Sequence, residues 1–254
     1  LLNVSGATGI GAALTLNGGR GTHELGTTID NSGSLTVGKD GSAAGGTLSG
    51  NGDLTVEGEL NLREGAMVGG TAAIAGDLTA AGDILLSQVA SISGRVTSSN
   101  GSVGLGGDNK NLTGATVNAA GDLLILGSNA GLGEGALVLA AGGDLVVNEG
   151  LTDSDATASV SLEGMDVDLG ETTLTSALTD LEVGGTLSVD ENLTISRLAN
   201  DSSLGNVVTS GDSALSLKGE GGTVTATGLT LGGASVRLES MNMDLGTAGG
   251  AALN

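Results

Sequence analysis

An apolar residue, one intervening residue and a second apolar residue recur along the chain. Examples are Leu35/Val37, Leu54/Val56, Leu60/Leu62, Leu78/Ala80, Leu123/Ile125, Leu145/Val147 and Val167/Leu169. The series continues through Leu181/Val183, Leu187/Val189, Leu193/Ile195, Leu215/Leu217, Leu229/Leu231, Val236/Leu238 and Met243/Leu245. In a strand, side chains alternate between the two faces, so both apolar members of each unit point the same way. Most intervening residues are polar. Where units crowd, they start at 181, 187 and 193, or at 229, 236 and 243, and three of them make roughly one coil. A Gly-Asp corner precedes both Leu123 and Leu145, 22 residues apart, and Val167 stands another 22 on. These periods predict an all-β, right-handed parallel β-helix, a β-solenoid with roughly triangular coils of about 20 residues. Three short strands per coil are joined by tight Gly, Asn or Asp corners. The whole chain makes about 12 such coils, a rod of roughly 55 to 60 Å.

An antiparallel sandwich fits less well, because it predicts longer strands in hairpins and an aromatic core. Helices are disfavoured by the glycine density and by the lack of a sustained 3.6-residue stripe. The best helical candidate, 134–141, is cut off by Gly142 and Gly143. No linker divides the chain, so residues 1–254 read as one solenoid domain. Opening at Leu1 without a Met or a signal segment, it reads as a processed or excised segment of a longer repetitive protein.

Composition sharpens this picture. The chain has 49 glycines, yet 39% of its residues are apolar and its mean hydropathy is +0.25, which places the glycines at corners of a folded chain. It lacks Phe, Trp, Tyr, Pro and Cys, so the core is aliphatic and narrow and no disulfide contributes. The formal charge of −21 repels nucleic acid and anionic membranes. No apolar run approaches the length of a membrane helix, and the aromatic girdles of a membrane barrel are missing.

The stretches 119–147, AAGDLLILGSNAGLGEGALVLAAGGDLVV, and 50–62, GNGDLTVEGELNL, resemble the repetitive shafts of filamentous-haemagglutinin-like exoproteins and of autotransporter passengers. The resemblance implies a bacterial cell-surface or extracellular matrix protein working in attachment, aggregation or biofilm cohesion. The Asn-Pro motifs of the family's secretion domain and an Arg-Gly-Asp tripeptide are both absent.

Candidate chemistry is sparse. The segment 33–40, GSLTVGKD, follows the spacing of a phosphate-binding loop through Lys39, but Asp40 replaces the magnesium-binding Ser or Thr. His23, the single histidine, rules out multi-histidine metal sites and reads as a surface corner residue beside Glu24. The pairs Asp153/Asp155 and Asp166/Asp168 place two acids on one strand face. Sugar-cleaving grooves also call for aromatic platforms and clustered bases, whereas the arginines at 20, 63, 95, 197 and 237 are dispersed, so the chain reads as a non-enzyme. Thr223, Thr225 and Thr227 share a face, but the row does not repeat as ice binding requires. Sequons at Asn3, Asn100, Asn111, Asn192 and Asn200 are as frequent as chance gives.

The corner aspartates Asp53, Asp77, Asp83, Asp122 and Asp144 are expected to cap their own turns through backbone hydrogen bonds. In the alternative reading, carboxylates of successive coils, with Asp53, Asp77, Asp122 and Asp144 as candidates, stack closely enough to hold bridging calcium. No other cofactor is expected.

The sharper expectation concerns units whose intervening residue is itself apolar: Leu85, Leu124, Val138 and Val146. These face outward. Leu124 and Val146 are one coil apart and Leu85 lies about two coils earlier, so these three form an apolar interaction stripe. The partner is a second shaft, by lateral or end-to-end assembly, the rest of a parent solenoid, or an overlying loop. The reading is an extracellular structural and adhesive shaft acting through rigidity and self-association. An exopolysaccharide-binding adhesin module is the alternative, and a polysaccharide lyase or hydrolase ranks below both.

Overall fold

A computed structural model describes residues 7–12, 14–16, 22–24, 28–31, 33–37, 42–45, 47–62, 64–128, 130–154, 157–232 and 235–244. Lys39, Asp40, Asp155, Arg20, Arg63, Leu245 and Asn3 lie outside them, and so do the side chains of His23, Val37 and Met243. Among the described residues there is no helix, and the strands stack in parallel as a β-solenoid. The segment 134–141, the best helical candidate, contains the strand Gly135–Ala141.

One parallel ladder passes through twelve strands. Its inward row reads Leu48, Ala66, Ile84, Val103, Leu123, Leu145, Val167, Leu187, Val207 and Leu229, with steps of 18 to 22 residues. That stretch makes about nine turns of about 20 residues. Two further faces close each coil. The second carries Asp53–Val56, the end of Ala66–Ile74, the end of Ile84–Ile92, Thr172–Leu174 and the start of Leu193–Leu198. The third carries Glu59–Leu62, Asp77–Ala80, Arg95–Ser98, Thr116–Ala119 and the ends of Gly135–Ala141 and Thr157–Gly164. Leu181, Leu187 and Leu193, six residues apart, sit on three successive faces, as their spacing predicts.

The core is the sum of these inward rows. On the third face Leu60, Leu78, Val96, Val117, Leu139, Leu162 and Leu181 are all fully buried, each opposite the next in register or one coil away. A cross-section this narrow fills with Leu, Val, Ile and Ala and leaves no room for rings, which is the physical reason an aromatic-free chain folds this way.

The corner between the third and first faces explains the Gly-Asp pairs. Asp83 Oδ1 accepts the N–H of Ser102 at 2.8 Å, and Ser102 Oγ accepts that of Asp122 at 3.0 Å. Asp122 Oδ1 accepts the N–H of Asp144 at 3.0 Å, Asp144 Oδ1 that of Asp166 at 3.3 Å, and Asp166 Oδ1 that of Thr186 at 2.7 Å. These side chains therefore cap the next coil and not their own turn, a correction to the local reading. A side chain reaching across occupies the space where a Cβ would stand on Gly101, Gly121, Gly143 or Gly185 of the following coil. Glycine is thus required by close approach of the previous coil. Met165 breaks the pattern, and the longest of the five bonds is the one to Asp166 beside it.

Candidate functional site

The outward row of the first face runs, from its third strand on, through Ser49, Met67, Leu85, Gly104, Leu124, Val146 and Asp168, each directly opposite the next. The three stripe residues expected from the sequence, Leu85, Leu124 and Val146, therefore share one ladder, with Gly104 supplying the missing coil between Leu85 and Leu124. Leu85 is 39% exposed, while Leu124 and Val146 are half-buried. A Cβ on Gly104 would lie 2.8 Å from Leu85 Cδ1, so the leucine leans over the glycine and keeps the apolar surface continuous. Three steps of about 4.8 Å separate Leu85 from Val146, and counted from Met67 of the preceding coil the row is four steps, about 19 Å, long.

Met67 extends the stripe by one coil and is its most exposed member, at 59%. The sequence carries the signal, since Ala66-Met67-Val68 is the same apolar triple as Ile84-Leu85-Leu86, but the smaller alanine hides the unit. Val138 lies elsewhere, on the third face between Thr116 and Ser161. Polar positions close the stripe at both ends, Ser49 before Met67 and Asp168 after Val146. Burial pushes the Asp168 carboxyl up, against a hydrogen bond from Gly170 N–H, and neighbouring Asp190 pushes it further.

The calcium candidates separate. Asp122 and Asp144 occupy successive coils of the corner row described above. Asp53 lies at the start of a second-face strand, where its Oδ1 accepts the N–H of Thr71 at 2.8 Å. Asp77 lies on the third face between Glu59 and Arg95. Among the described residues no three carboxylate or imidazole side chains converge as a metal-binding group.

A groove of about 410 Å³ opens where Met165 interrupts the corner row. Glu163 and Glu182, opposite each other on adjacent coils, line it together with Met165, Ser203 and Thr227. Desolvation raises the carboxyl of Glu182 above its usual range, and Asp180, Glu163 and Asp201 raise it further by repulsion. Of the acid pairs expected from the sequence, Asp166 is engaged with Thr186 N–H. Asp153 is held by the N–H groups of Thr175, Ser176 and Ala177 at 2.9, 2.7 and 2.7 Å.

Lys110 was not singled out by its sequence context, and it is the one charged side chain in the core of the described residues, 1% exposed. It precedes Asn111, which bridges Ser91 and Gly131, and so falls in the inward row between Val89 and Ala130. Its Nζ donates to Leu126 O at 2.8 Å, one coil on. Burial lowers its pKa and nearby Asp108 partly restores it. Nothing in a single Lys between two Asn residues distinguishes this from a solvated corner.

Comparison with protein-family models, curated proteins and solved structures finds no match to this chain. Its functional reading therefore rests on its own geometry and on the architecture, a β-solenoid compatible with the shaft of a β-helical exoprotein.

Proposed function

We propose that this chain is a rigid shaft segment of an extracellular or bacterial-surface structural protein, akin to filamentous-haemagglutinin-like exoproteins, acting through reach and lateral self-association. The observation that carries the reading is the apolar row Met67, Leu85, Leu124 and Val146, bridged over Gly104 by Leu85, on one sheet face of an otherwise strongly acidic chain. An uninterrupted parallel ladder resists bending because every coil is hydrogen-bonded to both neighbours along its length. An exposed apolar row on such a rod gains free energy when a second surface covers it.

Sedimentation velocity over a concentration series tests this. Wild-type protein is expected to associate with rising concentration, and the pair Leu124→Asp and Val146→Asp is expected to stay monomeric with an unchanged circular dichroism spectrum. Identical association of the two proteins overturns the reading.

The groove beside Met165 favours a second reading, in which the shaft also holds an exopolysaccharide chain. Glu163, Glu182, Ser203 and Thr227 supply hydroxyl-directed hydrogen-bonding groups there and Met165 an apolar contact. Glycan-array binding lost in Glu163→Ala with Glu182→Ala supports it, and absence of binding in the wild type removes it.

A further inference from the structure

We infer that Asn111 is a glycosylation site of this chain, taking a sugar on its side-chain amide from a pyrophosphate-activated glycosyl donor. The inference is independent of the self-association reading above.

The Asn-x-Ser/Thr pattern marks several acceptors alike. The structure separates the four that lie among the described residues. Asn192 Oδ1 accepts the N–H of Ala214 at 3.1 Å and Asn200 Oδ1 that of Gly222 at 2.8 Å, so both amides are tied to the next coil. Ser202, the hydroxyl residue that pairs with Asn200 in the pattern, is fully buried. Beside Asn100, the Ser102 hydroxyl is turned to the next coil, where it accepts the N–H of Asp122.

Asn111 differs on each count. Leu112 points into the core, so Asn111 and Thr113 on either side of it face outward together, and Asn111 is exposed. Asn111 Oδ1 accepts the N–H of Thr113 at 2.9 Å and also the Thr113 O–H. The N–H of Gly133 donates to Thr113 Oγ1 at 3.0 Å, which occupies a lone pair of that oxygen and leaves its hydrogen for Asn111. The residue opposite Asn111 on the next coil is Gly131, where even an added Cβ would have no closer neighbour than Lys110 O at 3.9 Å. The surface beside the amide is therefore open.

An amide nitrogen is a poor nucleophile because its lone pair is delocalised onto the oxygen. In the transfer, Nδ2 attacks the anomeric carbon and the N–C bond forms. The bond from that carbon to the donor's phosphate oxygen breaks, its electron pair leaves with the pyrophosphate, and one Nδ2 proton passes to a base of the glycosyltransferase. Loss of that proton shifts negative charge to Oδ1, where two donors from Thr113 already point. The fold thus presents an acceptor prepared for the reaction. It stands on the second face, so a sugar there leaves the first-face stripe uncovered.

The test uses the folded, unmodified protein with UDP-glucose and a soluble asparagine glucosyltransferase, and in a second arm with a lipid-pyrophosphate oligosaccharide and an oligosaccharyltransferase. The arms distinguish the two sources of activated sugar, and peptide mass spectrometry reads occupancy at each asparagine. In at least one arm Asn111 is expected to be occupied severalfold faster than Asn100, Asn192 and Asn200. Gly133→Ala keeps the acceptor pattern but places a methyl group 2.4 Å from the present position of Thr113 Oγ1. It is expected to cut Asn111 occupancy severalfold and to leave the other three sites unchanged, whereas Thr113→Ser should retain occupancy. Circular dichroism verifies the fold of each variant, and the ranking of the four sites tests the inference even if Gly133→Ala unfolds. Equal occupancy at the four sites, no modification in either arm, or undiminished Asn111 occupancy in folded Gly133→Ala overturns it.

Discussion

Asp122 Oδ1 accepts the backbone N–H of Asp144 at 3.0 Å, across 22 residues and one coil. The same carboxylate oxygen lies where a Cβ on Gly143 would be, so the Gly-Asp pair is one device: the aspartate needs the next coil's glycine as much as that coil needs the aspartate.

Gly143→Ala is therefore expected to cost about 1 to 3 kcal/mol, because the methyl group displaces the Asp122 carboxylate and leaves the Asp144 N–H unpaired. The shift in urea midpoint at unchanged slope measures it. Gly211→Ala provides a contrast with another origin: no atom lies near its Cβ position, and its φ of 63° is the whole source of cost.

Inward and outward leucines are expected to differ sharply. Leu139 is fully buried between Val117 and Leu162, so Leu139→Ala should cost about 2 to 5 kcal/mol. Leu85→Ala at the exposed stripe should cost about 1 kcal/mol or less while weakening association. Chemical denaturation and sedimentation read the two effects separately.

Lys110 makes stability depend on alkaline pH. Its folded pKa is lowered by burial, so the unfolded chain binds more protons between the folded value and the ordinary lysine value of about 10.4. Unfolding free energy should therefore rise as pH climbs through the folded pKa and level off above the unfolded one. Lys110→Met should remove this rise. Urea denaturation of both proteins from neutral pH upward measures the difference in slope, and equal slopes would refute the assignment.

Asp153 acts at the acid end with the same slope, since its lowered folded pKa also makes stability rise with pH. Burial pushes its carboxyl up, but the N–H groups of Ala177, Thr175 and Ser176 and the Thr175 hydroxyl outweigh burial and hold it below the usual range. Its contribution is present above the unfolded pKa and is lost as pH falls through the lowered folded value. Asp153→Asn should lower the urea midpoint at neutral pH, and the gap should close towards strongly acid pH.

Much of this protein is legible in its sequence, because a solenoid writes its structure locally. The alternation around Leu187 and Val189, or Leu193 and Ile195, depends only on the strand period. The 22-residue return of the Gly-Asp corner likewise reports the coil directly. The stripe followed from the same arithmetic: apolar residues between inward neighbours must face out, and Leu124 and Val146 one coil apart must be adjacent. What escaped were features whose partners lie a coil away. A carboxylate before a leucine looks the same whether it caps its own turn or the next coil, so the role of Asp122 was misread. Met67 was hidden by the small Ala66, and Lys110 looked like any solvated corner lysine.

The sequence by itself determined the strand period, the coil length, the aliphatic core and the outward position of the stripe, since each follows from side-chain alternation and repeat spacing. The tertiary structure decided which oxygen bonds which coil, that Gly104 is bridged by Leu85, and that Lys110 is buried. Those outcomes depend on the register of coil upon coil, which steps of 18 to 22 residues leave open until the chain is wound.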